Sequence, residues 1–136
     1  MSRVVLDATA LLTLINAEPG AEVIARYLKN AEISAITLSE VVTILAEMGM
    51  PLEEITRVFD RLGIKVHPFA RNTALTAALL RSNVEDLELT ISDRASLALA
   101  MQLGSPVITV NPLWDRLDAG VPVKIVKVRK PAPDKG

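Results

Sequence analysis

Three carboxylates, Asp7, Glu40 and Asp93, and one carboxamide, Asn111, each stand where an apolar strand-like run or loop gives way to a helix. Val4-Val5-Leu6 runs into Asp7, residues 33–36 run into Thr37-Leu38-Ser39-Glu40, and Val107-Ile108-Thr109 runs into Val110-Asn111. In an open α/β sheet the carboxyl ends of the parallel strands face one crevice, and ligands bind there. The four side chains are therefore expected to share a pocket. Carboxylates held together repel unless a cation offsets them. An oxygen-only set suits a hard cation, Mg²⁺ or Mn²⁺, which keeps several waters and takes one or two carboxylates. Such a cation can activate water and offset the charge on a phosphodiester.

Each acid also has a simpler role to set against this one. Asp7 fits an N-cap, Thr37-Leu38-Ser39-Glu40 has the spacing of a capping box, and Asp93 fits the first turn of a helix. Their convergence on one sheet edge separates the two readings. Other catalytic kits are missing: there is no G-x-x-x-x-G-K-[ST] loop, no G-x-G-x-x-G and no cysteine. The single histidine, His67, ends a strand-like run without metal-ligand spacing and reads as structural.

Around the acids, Thr9, Ser92 and Thr109 are placed to orient waters, with helix capping the plainer role for Ser92. Arg81, Arg94 and Arg116 are candidates for a basic rim, since guanidinium forks match phosphate oxygens. Arg94 leads because it adjoins Asp93; Arg116 reads as a solvated position and Trp114 as a core or interface anchor.

The elements that must position these residues alternate. Strands are expected at 4–6, 33–36, 64–67, 106–109 and 121–128. Helices are expected after Asp7, over 21–29, over 38–48 up to Gly49, after Pro51, over 71–81, over 93–103 and over 112–117. Residues 82–92 are polar and without helical period. This alternation argues for an α/β fold, a three-layer α/β/α sandwich around a central parallel sheet. One domain over 1–128 and a flexible tail over 129–136, rich in Pro and Lys, are the expected organisation.

Composition agrees. Of 136 residues half are hydrophobic, yet there is one Trp and one Tyr, so base-stacking platforms are not expected. A formal charge of -1 gives no global pull toward nucleic acid and confines any such contact to a local rim. No signal-peptide pattern and no apolar run of the roughly 20 residues needed to span a bilayer is seen, so a cytoplasmic protein without membrane contact is expected.

In chain order, Val4-Val5-Leu6-Asp7-Ala8-Thr9-Ala10-Leu11-Leu12, Ser39-Glu40-Val41-Val42, residues 91–100 and residues 104–114 resemble the successive motifs of PIN-domain ribonucleases, in particular VapC-type toxins. The resemblance covers residues 3–128. It implies a PIN-like fold, Mg²⁺- or Mn²⁺-dependent endonucleolytic cleavage of RNA with Asp7, Glu40 and Asp93 as the matching acids, a homodimer, and a small cognate antitoxin. The fourth motif departs: where the family has T-x-D-x-x-W, this chain has Thr109-Val110-Asn111-Pro112-Leu113-Trp114. An amide oxygen can ligate a hard metal or hold its water but brings no charge, so a second cation binds more weakly. Two rivals follow: a PIN-like RNA-binding module with little turnover, and a receiver-like phosphoacceptor domain. The second lacks an acceptor aspartate on a middle strand.

Overall fold

The computed structural model describes residues 2–127. Five strands, β1 (Val4–Leu6), β2 (Ala31–Ser34), β3 (Lys65–His67), β4 (Val107–Thr109) and β5 (Val123–Ile125), form one parallel sheet in the order β3-β2-β1-β4-β5. Six helices connect them: α1 (Ala8–Ile15), α2 (Ala21–Ala25), α3 (Ala35–Glu47), α4 (Leu52–Leu62), α5 (Arg71–Leu79) and α6 (Ile91–Leu103), with 3-10 turns at Leu28–Asn30 and Pro112–Arg116. The chain builds outward from β1 to β3, then crosses back to place β4 on the other side of β1. Right-handed crossovers put the helices of the two halves on opposite faces. The alternation along β1 shows the result: Val4 and Leu6 pack with Leu11, Ile24, Val41 and Ile55, while Val5 packs with Val107, Leu97, Leu99 and Trp114. Burying a side chain such as Leu6 or Ile33 completely contributes roughly 1.5–3 kcal/mol.

The reversal of strand order lies between β1 and β4. That is the topological switch point, and the crevice of a parallel sheet opens there at the carboxyl ends. Asp7 follows β1 and Asn111 lies just beyond β4, so the fold puts both at its mouth.

Several boundaries differ from the sequence expectation; α5 ends at Leu79 rather than 81, and β5 begins at Val123 rather than 121. β2 covers 31–34 rather than 33–36, because Ser34 caps α3 by accepting the Ile36 amide at 3.1 Å. The expected capping box at Thr37 therefore does not form: Thr37 and Glu40 lie inside α3, where the chain's free amides have already been met. The box lies instead at Thr90, with Asp93 as its third helical residue, so α6 starts at Ile91. The helix expected over 21–29 ends at Ala25 and gives way to i→i+3 bonds, Arg26 N to Val23 O, Tyr27 N to Ile24 O and Asn30 N to Tyr27 O. The tail expected over 129–136, with Val128 of the closing strand, lies outside the described residues. Among the described residues no helix is long and apolar enough to cross a membrane.

Candidate active site

Asp7 leaves β1 in extended conformation and turns its side chain back onto α1. Its Oδ1 accepts from the Ala10 amide at 2.9 Å and from the Thr9 hydroxyl at 2.7 Å. The Asn111 amide donates to Thr109 Oγ1 and the Val110 amide to Thr9 Oγ1, each at 3.1 Å; Thr9 and Thr109 meet at 3.1 Å. Thr9 gives its proton to Asp7, and the Thr109 hydroxyl lies against both Thr9 and the carboxylate. The end of β4 is thus tied to the carboxylate by a run of hydrogen bonds that polarise one another. Asp7 is only 1 % exposed. Burial pushes its pKa up to about 6, against the lowering pull of Thr109, Ala10 and Thr9, and the charge of Asp93 adds to the rise.

Asp93 completes the Thr90 capping box, its Oδ2 accepting the Thr90 amide at 2.9 Å while its own amide donates to Thr90 Oγ1 at 3.1 Å. The cap thus occupies one carboxylate oxygen. Its pKa is raised by burial first and by the charge of Glu40, with Thr90 and Arg94 opposing. Glu40, in the second turn of α3, lines a cleft of about 410 Å³ with Ile36, Thr43, Ile44, Thr90 and Ile91. The acids therefore form a series in which Asp7 senses Asp93 and Asp93 senses Glu40. They do not close into a cage: among the described residues no group of three or more His, Cys, Asp or Glu side chains is arranged to enclose a metal ion. Buried, mutually repelling carboxylates with oxygen donors only fit a hard cation that keeps most of its waters and takes one or two carboxylates.

Asn111 stands at the mouth of the crevice, and its Oδ1 accepts the Leu113 amide at 3.0 Å, capping the 3-10 turn. The oxygen expected to face a cation is thus shared with the backbone. Arg94 is half-buried beside Asp93, and its Nε is buried without a hydrogen-bond partner, with no ion pair among the described residues. Arg81 is committed elsewhere: its Nη1 donates to Ala78 O at 2.6 Å and Leu80 O at 2.8 Å, closing the end of α5. Arg116 is exposed and lines a separate cleft of about 570 Å³ with Asn83, Glu85, Pro112, Leu113 and Asp115. Trp114 is buried in the core. His67 bonds Glu32 through Nε2 at 2.9 Å.

Sequence reasoning missed two features. Glu32 is a buried carboxylate inside β2; shifting that strand two residues late hid it. Thr37 and Ser96, both fully buried, meet across α3 and α6. A hydroxyl at an apolar position of each of the two helices that carry Glu40 and Asp93 was the available signal.

A five-stranded parallel sheet flanked by helices, with Asp7 at its switch point, defines the class of α/β domain. The family model for the PIN domain matches residues 4–120, and the chain belongs to the PIN domain family, nucleases that typically use divalent metals. No curated protein matches the chain. Among solved structures, a toxin-antitoxin complex from Klebsiella pneumoniae is 19% identical with a TM-score of 0.68, covering 93% of this chain and 99% of its own. DNA-bound VapBC from Salmonella typhimurium is 19% identical with a TM-score of 0.69, covering 92% and 98%. The sarcin-ricin-loop-cleaving toxin VapC20 from Mycobacterium tuberculosis is 16% identical with a TM-score of 0.63, covering 86% and 92%. At these identities the likeness is one of fold.

Proposed function

We propose that the chain is a metal-dependent endoribonuclease and the toxin half of a toxin-antitoxin pair. The observation that carries this reading is the acid series Asp7, Asp93 and Glu40 in a PIN domain, with Asp7 and Asp93 raised in pKa by burial and, in each case, by the charge of the next acid in the series. Asp7 and Asp93 would supply the oxygens that hold Mg²⁺ or Mn²⁺, with Glu40 ligating the cation directly or through a water. A bound cation of this kind supplies positive charge against that of a phosphodiester as it is cleaved. Glu40 lies at the cleft wall, where it takes the proton of the attacking water. Arg94, half-buried beside Asp93 and without an ion pair among the described residues, holds a phosphate oxygen through its guanidinium and orients the strand.

RNA as substrate is supported by the name of VapC20, a toxin that cleaves the sarcin-ricin loop. An antitoxin partner is supported by the complexes of the Klebsiella and Salmonella proteins, and a homodimer remains part of the proposal. The Asn111 cap favours one alternative, a PIN domain that retains RNA and turns it over slowly, because the amide oxygen is already engaged. Single-stranded RNA incubated with the purified chain in Mn²⁺ or in chelator separates the two. Cleavage is expected in Mn²⁺ only, and Asp7→Asn and Asp93→Asn should each lower it by at least roughly 100-fold while the protein stays folded. Wild-type protein that binds RNA in Mn²⁺ without cutting it would support the alternative.

A further inference from the structure

Three buried hydroxyls join the helices that carry Glu40 and Asp93. Thr37 Oγ1 lies 3.1 Å from Ser96 Oγ and 3.3 Å from Ser92 Oγ, and the three residues are 0 %, 0 % and 3 % exposed in the order Thr37, Ser96, Ser92. Thr37 sits one turn before Glu40 on α3; Ser92 adjoins Asp93, and Ser96 follows it by one turn on α6. Hydroxyls within helices ordinarily bond the carbonyl four residues back, as Thr43 does to Ser39 O at 2.8 Å and Thr56 to Leu52 O at 2.9 Å. The three buried ones bond across the helix contact instead. Valine or alanine would fill these positions without the desolvation cost of a buried hydroxyl. What the hydroxyls add is direction: an apolar contact lets two helices slide or roll by a fraction of an ångström, whereas a shared set of hydrogen bonds has one register.

We propose that Thr37 is a positioning residue, which through Ser96 and Ser92 fixes the separation of Glu40 from Asp93 and so sets the affinity of the crevice for a divalent cation. The inference rests on the metal-site reading above. Residues that hold ligating side chains in place typically contribute roughly 10- to 100-fold to metal affinity. A direct consequence is that Thr37 acts only through Glu40.

The test is calorimetric titration of metal-free protein with Mn²⁺, which reads binding without any turnover. Thr37→Val should keep its melting temperature in chelator within a few degrees of wild type and weaken Mn²⁺ binding by roughly tenfold. Thr37→Ser, which restores the hydroxyl, should return the affinity to within about threefold of wild type. In a Glu40→Ala background, Thr37→Val should cause no further loss, because the group it positions is gone. If Thr37→Val fails to fold, Ser96→Ala removes the same bond from the other helix and takes its place in the cycle. Wild-type affinity in the folded valine variant, or an equal loss with and without Glu40, would overturn the positioning role while leaving the metal site standing. A wild type that does not bind Mn²⁺ would overturn the metal site itself, and this inference with it.

Discussion

The sheet holds buried carboxylates in two places, and it treats them in opposite ways. Glu32, inside β2, is ringed by basic side chains: His67 Nε2 at 2.9 Å, and the cations Arg3, Nε at 3.6 Å, and Lys65, Nζ at 3.8 Å. Asp7, at the end of β1, has hydroxyls and an amide for partners and another acid, Asp93, as its charged neighbour. A buried carboxylate whose charge is met by the protein's own cations is architecture. One held beside like charge is out of electrostatic balance, and a cation from solution restores it.

The two places should respond to loss of charge with opposite sign. Glu32→Gln leaves Arg3 and Lys65 facing a neutral amide and should lower stability at pH 7 by roughly 1–3 kcal/mol, the exposure of both cations keeping the figure modest. Asp7→Asn should raise the stability of metal-free protein at pH 7 by at most about 3 kcal/mol. The sign follows from the raised pKa of about 6 against an ordinary 3.8. Over that interval the folded state holds a proton that the unfolded state has lost. The contribution of Asp7 is therefore most favourable below pH 3.8 and is lost as pH rises through 6. The Asp7→Asn gain over wild type should accordingly vanish near pH 4. Denaturant unfolding at both pH values checks it, and a variant less stable than wild type at pH 7 would make Asp7 a cap alone.

Asn111→Asp sharpens the comparison by adding charge to one side only. Aspartate caps as well as asparagine, so the 3-10 turn that follows should be unaffected and the change isolates the charge. Mn²⁺ binding should tighten by roughly threefold to tenfold, cleavage at low Mn²⁺ should rise, and metal-free stability should fall. Titration and melting in chelator measure both signs. Lower activity at every metal concentration would mean that the carboxamide itself is required, through its NH₂ group.

The smallest expected effect belongs to the rim. Arg94→Ala should weaken RNA binding and lower the slope of log affinity against log salt by about one, with Mn²⁺ affinity nearly unchanged. Binding measured across a salt series decides it; an unaltered slope would leave Arg94 without a phosphate contact.

Much of this was legible in the sequence because the acids follow strands. β1, β4 and the helices behind them carry strong local signals, apolar runs closed by Asp7 and by Thr109-Val110-Asn111, and the fold kept those boundaries. β2 was harder. Ala31-Glu32-Ile33-Ser34 puts a charge in a buried strand, and Lys65 and His67 from β3 with Arg3 just before β1 make that position tenable. Local propensity moved the strand toward apolar Ile36, which in turn moved the helix cap from Ser34 to Thr37. The true cap at Thr90 was hidden for a related reason: Ser92-Asp93 looks like a helix start, but Ser92 is spent on Thr37 across the helix contact. Long-range partners decided each of these cases.

The central claim is that the crevice, and not the Glu32 cluster, is a site for a divalent cation. Melting temperatures in chelator and in millimolar Mn²⁺ test it for wild type, Asp7→Asn and Glu32→Gln together. A ligand at 100 times its Kd stabilises the native state by about 2.7 kcal/mol, a shift on the order of 10 °C for a domain of this size. Wild type and Glu32→Gln should both gain that shift, Glu32→Gln from a lower starting temperature, and Asp7→Asn should gain almost none. Equal melting temperatures of wild type in chelator and in Mn²⁺, or a shift that survives Asp7→Asn and disappears in Glu32→Gln, would contradict it.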